Sequence, residues 1–249
     1  MLLIILAFSI LAGGPVEAAE SPMTVTMGGL EALKGDYRAF YGDGYNYLVL
    51  ASSLAAAGTL ANSSADREVR EYYRDDVRSD ATDGLADVAR LPGEALFTIP
   101  ALAGVRLLVP DTGAGRWAGL TLRALFLGGP LGLFLQAATG AGRPNEGGSG
   151  WRPGSDNNGL SGHAFLGATP FITAAMMRRD AASRAALYAL STLPGLTRIN
   201  DDKHYLSQFI LGWTLAYVSS RAVVRRDSTV AVMPAVIDGR VGAALRLAF

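Results

Sequence analysis

The chain has 249 residues, half of them hydrophobic and 18% charged, and its formal net charge is zero. That balance excludes a disordered chain and a basic surface for nucleic acid, and the length fits one large domain. The absence of cysteine excludes disulfides, thiolate metal sites and cysteine catalysis.

In chain order, "MLLIILAFSILAGGPVEAAE" reads as a signal peptide over residues 1–19. Its apolar run, Leu2 to Leu11, is too short to span a bilayer, and an A-x-A-like site follows near Ala18 or Ala19. The alternative is an uncleaved membrane anchor, and both place the chain in the cell envelope. Residues 20–44 read as an irregular, Gly-rich leader. Residues 45–61 form an apolar helix. In "REVREYYRDDVRSDATDGLADVARL", Val69, Tyr73, Val77, Leu85 and Val88 recur at helical spacing, which predicts one amphipathic surface helix.

"PGEALFTIPALAGVRLLVP" is helical and broken by prolines, and "RWAGLTLRALFLGGPLGLFLQAATG" is an apolar helix with a kink near Gly128–Pro130. The connection Gly140–Gly162 is long and rich in Gly, the mark of a functional loop. Three more helical runs follow, the last beginning near His204. In residues 229–249, two apolar runs flank Asp238–Gly239, a hairpin signal. The expectation is an all-α domain over 20–228, a bundle of about six core helices with its site at one end, plus a small C-terminal β-hairpin.

The apolar helices run roughly 12 to 19 residues, against the ~20 that a bilayer core needs. Two readings stay open: the buried core of a soluble bundle, or short membrane spans. Arg178, Arg179 and Arg184 share one end of an alternating bundle with Arg221, Arg225 and Arg226. In a membrane protein that end is cytoplasmic, and the Gly-rich loop and His204 face outward.

The only histidines, His163 and His204, each stand at the mouth of an apolar helix beside an arginine-bearing segment. Arg143 and Arg198 are suited to grip phosphate oxygens bidentately. Ser161 and Gly162 precede His163 at a helix start, where free N–H groups and the positive helix end favour an anion. One imidazole can attack phosphorus and the other can protonate the leaving oxygen, with no metal and no other cofactor. Asp201 and Asp202 admit two readings: acids set against the dipole of the next helix's N-terminus, or partners that orient His204. Gln208 lies one helical turn from His204 and can accept an N–H bond from its ring.

These segments, Arg143-Pro144, Ser161-Gly162-His163, and Thr197-Arg198 with His204 six residues after Arg198, resemble the type 2 phosphatidic acid phosphatase family. That family shares its fold with bacterial class A acid phosphatases and vanadium haloperoxidases. The resemblance covers residues 116–220. It implies that His204 is a nucleophile forming a phosphohistidine, that His163 is the general acid, and that Arg143, Arg198, Ser161 and Gly162 bind the phosphoryl group. The chain departs from the family pattern at Gln136, where the family has lysine, at Leu160, where it has proline, at Thr197, where it has serine, and at Gln208, where it has aspartate.

The resulting expectation is a metal-independent phosphatase acting on a phosphomonoester or diphosphate, of a lipid above all, at a membrane and with no nucleic acid partner. The alternatives are a soluble periplasmic acid phosphatase and a non-catalytic envelope protein that binds anionic lipid headgroups.

Overall fold

A computed structural model describes residues 28–146 and 148–227, and the backbone of 231–237 and 240–246. The proposed signal peptide and the Asp238–Gly239 turn lie outside the described residues. The described part is mostly helical, with nine α-helices before residue 228. They are α1 (Gly28–Tyr41), α2 (Gly44–Ala61), α3 (Ala65–Tyr72), α4 (Asp80–Ala89), α5 (Ala95–Leu108), α6 (Gly113–Thr139), α7 (Gly162–Met177), α8 (Ala181–Asn200) and α9 (Leu206–Asp227).

Local chemistry sets most of the starts. Asp43, Ser79, Thr112, Ser161 and Asp180 each accept a backbone N–H at the N-cap of α2, α4, α6, α7 and α8. Such caps satisfy one of the orphan donors at a helix start.

Helix α7 runs through the middle of the bundle. Ala164, Phe165 and every residue from Gly167 to Ala175 are buried, packed chiefly against α8 and α9. α9 packs in turn on α2 and α6. At Gly212 a Cβ atom would collide with the Ser161 carbonyl and the Ala164 side chain. Only glycine lets α9 close on the first turn of α7, and this contact brings the candidate site together.

Three expectations are corrected. Residues 28–41 of the expected leader form α1, whose Asp36 and Phe40 are buried. The single amphipathic helix expected after residue 66 is broken. α3 ends in a π-helical turn at Tyr73–Val77, and the Ser79 capping box starts α4 as a separate helix. The apolar stripe therefore never faces one core, and Val77, Leu85 and Val88 are exposed. α5 passes through Pro100 unbroken. Pro100 forfeits only the hydrogen bond to the Leu96 carbonyl, at a solvent-facing residue. α9 begins at Leu206, near His204 as expected.

Among the described residues α6 is the one helix long and apolar enough to cross a membrane unaided, and half of its apolar window is buried inside the bundle. α2 with α3 and its π-helical turn passes the same test as a pair bent by 75°. At the end away from the candidate site the arginines turn inward. Arg221 donates to Asp43 and Asn46, while Arg123 and Arg226 close on the fully buried Asp36.

Candidate active site

The site forms where the Gly-rich loop, the start of α7 and the α8–α9 connection meet. α8 continues through Arg198 to Asn200, and Asp201 is its C-cap. The N–H groups of Lys203 and His204 both donate to the Arg198 carbonyl, at 2.8 and 3.1 Å. Asp202 takes a positive φ of 55° in this turn. The tight reversal sets His204 beside Arg198 and one turn ahead of Gln208.

Gln208 is fully buried, and both ends of its amide are hydrogen-bonded. Its Nε2 donates to the Gly142 carbonyl at 2.8 Å. Its Oε1 accepts the Tyr205 N–H at 3.1 Å and faces His204 Nδ1 at 2.7 Å. A carbonyl on one side and a backbone N–H on the other leave no freedom to flip the amide. Oε1 can only accept, so His204 carries its proton on Nδ1. Nε2 keeps a lone pair, as a nucleophile requires. Burial pushes the His204 pKa down to about 4. The Gln208 bond opposes this, and Arg198, Arg143 and His163 reinforce it. His204 is therefore neutral at pH 7. Arg198, Arg143 and His163 thus all lie near enough to act on His204 electrostatically.

Arg198 donates from Nη1 to Asp201 at 3.1 Å, while its Nε is buried with no hydrogen-bond partner. Burial holds this guanidinium below its ordinary pKa. A buried, unsatisfied cationic donor is costly, and an anionic oxygen is what it lacks. Arg143 is held by a neutral group: its Nε donates to Asn158 Oδ1 at 2.9 Å. The Asn158 amide donates in turn to Glu146 and Asp156.

Ser161 serves as the α7 cap, its Oγ accepting the Ala164 N–H. Its own N–H donates to the Gln208 carbonyl. The backbone donor assigned to phosphate at Ser161 is thus already spent, which corrects that expectation. Gly162 occupies the first position of α7, where a backbone N–H has no intrahelical partner. Gln136 donates from Nε2 to the Leu160 carbonyl at 2.9 Å. It clasps the loop before Ser161 and brings no charge.

The orienting role expected of Asp201 or Asp202 is also corrected. Asp202 pairs with Arg70 through both oxygens, and Asp201 pairs with Arg198. Neither bonds to His204. They stand at the C-terminal end of α8, so the reading as acids at a helix N-terminus fails too.

Sequence reasoning missed two residues. Glu94, at the N-cap of α5, puts Oε1 3.2 Å from His163 Nε2. It is 69 residues away in the chain, and no local pattern could have found it. Asn158 sits in the "DNNG" of the functional loop, where an Arg-holding amide leaves no periodic mark. His163 has a lowered pKa through burial and the nearby Arg198, with Glu94 opposing.

An apolar groove of about 280 Å3 adjoins the site. Ile99, Leu125, Phe126, Leu133 and Phe165 line it, and Gln136 and Gly162 stand at its site end. α5 and α6 also expose Leu96, Leu107, Leu108, Phe126, Leu133 and Phe134. Among the described residues no group of three or more His, Asp or Glu side chains gathers as a metal ion would need.

Geometrically this is a helical bundle with arginines and imidazoles gathered between helix ends, beside an apolar groove. Comparison of the chain with family models, with curated proteins and with solved structures gives no match.

Proposed function

We propose that this chain is a member of the type 2 phosphatidic acid phosphatase group. In this reading it hydrolyses a phosphomonoester or diphosphate through a phosphohistidine on His204, without a metal ion. The observation that carries the reading is the His204 environment: a buried, neutral imidazole, Nδ1–H fixed by Gln208, beside Arg198 with its unpaired Nε. His204 Nε2 attacks phosphorus as the bond to the leaving oxygen breaks. His163 gives that oxygen a proton. Arg143 and Arg198 hold the phosphoryl oxygens and their developing charge. Water then attacks phosphorus, His163 takes its proton, and the N–P bond breaks to free His204 and phosphate.

The groove beside Gly162 and the exposed apolar faces of α5 and α6 support a lipid-linked phosphate and a membrane-associated protein of the cell envelope, its site facing outward. A surface of this kind marks an interaction site. The same proposal includes a C-terminal β-hairpin turning at Asp238–Gly239, supported by antiparallel pairing of Ala231–Ile237 with Arg240–Arg246.

A second reading is a non-catalytic binder of anionic headgroups. It is favoured by the neutral Gln136 and Gln208 at positions where the family carries charge.

The test is phosphate release from lipid and soluble phosphates in detergent with EDTA present. We expect release that vanadate inhibits, and its loss, together with loss of a trappable phosphoenzyme, in His204→Ala. Release abolished by EDTA and restored by a divalent ion would overturn the phosphohistidine route. Binding without release would select the second reading.

A further inference from the structure

The resemblance assigns no partner to His163. We infer that Glu94 is a positioning residue of this site, holding the His163 imidazole through Nε2 and leaving Nδ1 as the nitrogen that exchanges a proton with the reacting oxygen. The inference rests on the phosphatase reading above for its chemistry and on geometry for its contact.

The geometry is built, not incidental. Glu94 follows a 3-10 turn, Leu91–Gly93, and its N–H bonds the Leu91 carbonyl at 3.0 Å. Thr98, buried, closes this turn by donating to the Pro92 carbonyl at 2.8 Å. Gly93 lies against His163 itself. A Cβ there would sit about 3 Å from the His163 carbonyl, Cβ and Cδ2 atoms. The turn is thus pressed onto the histidine, and the next residue carries the carboxylate. Glu94 occupies the N-cap of α5, yet its side chain makes no capping bond to that helix. The carboxylate is committed to the imidazole instead, at 3.2 Å.

An ionised carboxylate only accepts, so the bonded nitrogen Nε2 carries the hydrogen. In the neutral ring the lone pair is then on Nδ1, and protonation occurs there. The charged groups acting on His163 are Arg198 from α8, Arg143 from the loop after α6, and Glu94 ahead of α5. The ring also sits in the first turn of α7, at its positive end. Burial, both arginines and the helix end all favour the neutral ring, which cannot serve as an acid. Glu94 is the one group among those named that favours the proton-bearing form. In the first step the Nδ1 proton passes to the leaving oxygen as the P–O bond breaks. In the second the attacking water returns a proton to Nδ1 as the N–P bond breaks. Because Glu94 is nearly half exposed, it can also ease proton exchange with solvent.

The chain has two histidines, so long-range 1H–15N spectra of the full chain labelled on histidine show two imidazoles, told apart with His204→Asn. We expect His163 as the Nε2–H tautomer above its midpoint. Glu94→Gln should lower that midpoint by about 1 pH unit, with partial recovery in Glu94→Asp. In turnover, Glu94→Gln should lower kcat about 10-fold for alkyl phosphates at unchanged KM. It should change p-nitrophenyl phosphate hydrolysis little, since a good leaving group needs no proton. An Nδ1–H tautomer, or a midpoint unmoved in Glu94→Gln, overturns the inference. So does equal loss on both substrates. If the wild type releases no phosphate from any substrate, the phosphatase reading fails, and the spectra alone decide the Glu94 contact.

Discussion

The family pattern alone predicts that a carboxylate at position 208 would speed the reaction, because it would stabilise the imidazolium formed as His204 attacks. The geometry around Gln208 predicts the opposite. Gln208→Glu keeps the length of the side chain, so one oxygen still meets His204 Nδ1. The other then replaces Nε2, which donates to the Gly142 carbonyl at 2.8 Å. That carbonyl loses its partner, a cost of about 1–3 kcal/mol, and gains an anion at contact distance. The carboxylate is fully buried, and desolvating it adds several kcal/mol more, on the order of the penalties known for buried ions. The return is one charge-assisted bond to His204, worth roughly 1.5–3 kcal/mol. Burial holds the wild-type His204 pKa down to about 4, so the new carboxylate must first draw a proton onto a ring that is otherwise neutral. The cost wins by about 2–4 kcal/mol. Gln208→Asp, one methylene shorter, loses the His204 contact as well. Denaturant unfolding followed by the fluorescence of buried Trp117 should show both variants destabilised, and phosphate release should not rise in either. An aspartate variant that is as stable as wild type and faster would refute the argument.

Two further outcomes follow from buried groups. Because the folded pKa of His204 lies near 4, below its ordinary 6.5, the unfolded chain binds the extra proton between those values. Stability therefore falls by about 3 kcal/mol as pH drops from 6.5 through 4. His204→Asn should remove that part of the slope in unfolding measured at pH 7.5 and 4.5, and equal slopes in the two proteins would count against the burial of a neutral ring. At the far end of the bundle, Asp36→Ala leaves Arg123 and Arg226 facing an empty site. It should cost about 3–5 kcal/mol, a value that thermal unfolding within 1 kcal/mol of wild type would contradict.

The residues of the candidate site were legible where their relation is local. Histidine 204 and glutamine 208 are one helical turn apart, and Ser161-Gly162-His163 is a cap followed by a first turn. What decided the rest is contact between distant segments. Glu94 meets His163 only because Gly93 allows a close approach. Asp201 and Asp202 were misplaced because the end of α8 is set by the Arg198 carbonyl taking two N–H groups, which no propensity of "TRINDDK" reveals. In the fold, α1 was hidden by Gly28, Gly29 and Gly35, although Leu33, Tyr37 and Phe40 repeat at helical spacing. The long surface helix failed for the converse reason: its apolar period is real, but a capping box inside it starts a new helix.

The placing of charge differs between the site and much of the bundle, although Arg178 at the far end of α7 also has a buried Nε without a hydrogen-bond partner. Arg70, Arg123, Arg221 and Arg226 are each neutralised directly by a carboxylate, as expected of cations held for structure. The Arg143 side chain is held by an amide oxygen instead, and Arg198 keeps a bare Nε beside its single aspartate. Gln136, Asn158 and Gln208 form a set of three amides. Between them they fix the loop, one arginine and one imidazole while adding no charge of their own. A carboxylate in any of these places would spend part of the positive potential that two arginines and a helix start concentrate between His163 and His204. Neutral orienters preserve that potential for an incoming anion, at the cost of a weaker stabilisation of the charged His204 ring. Gln208 in place of a carboxylate thus favours an anion at the candidate site, whereas Gln136 in place of a lysine takes one cation away from it.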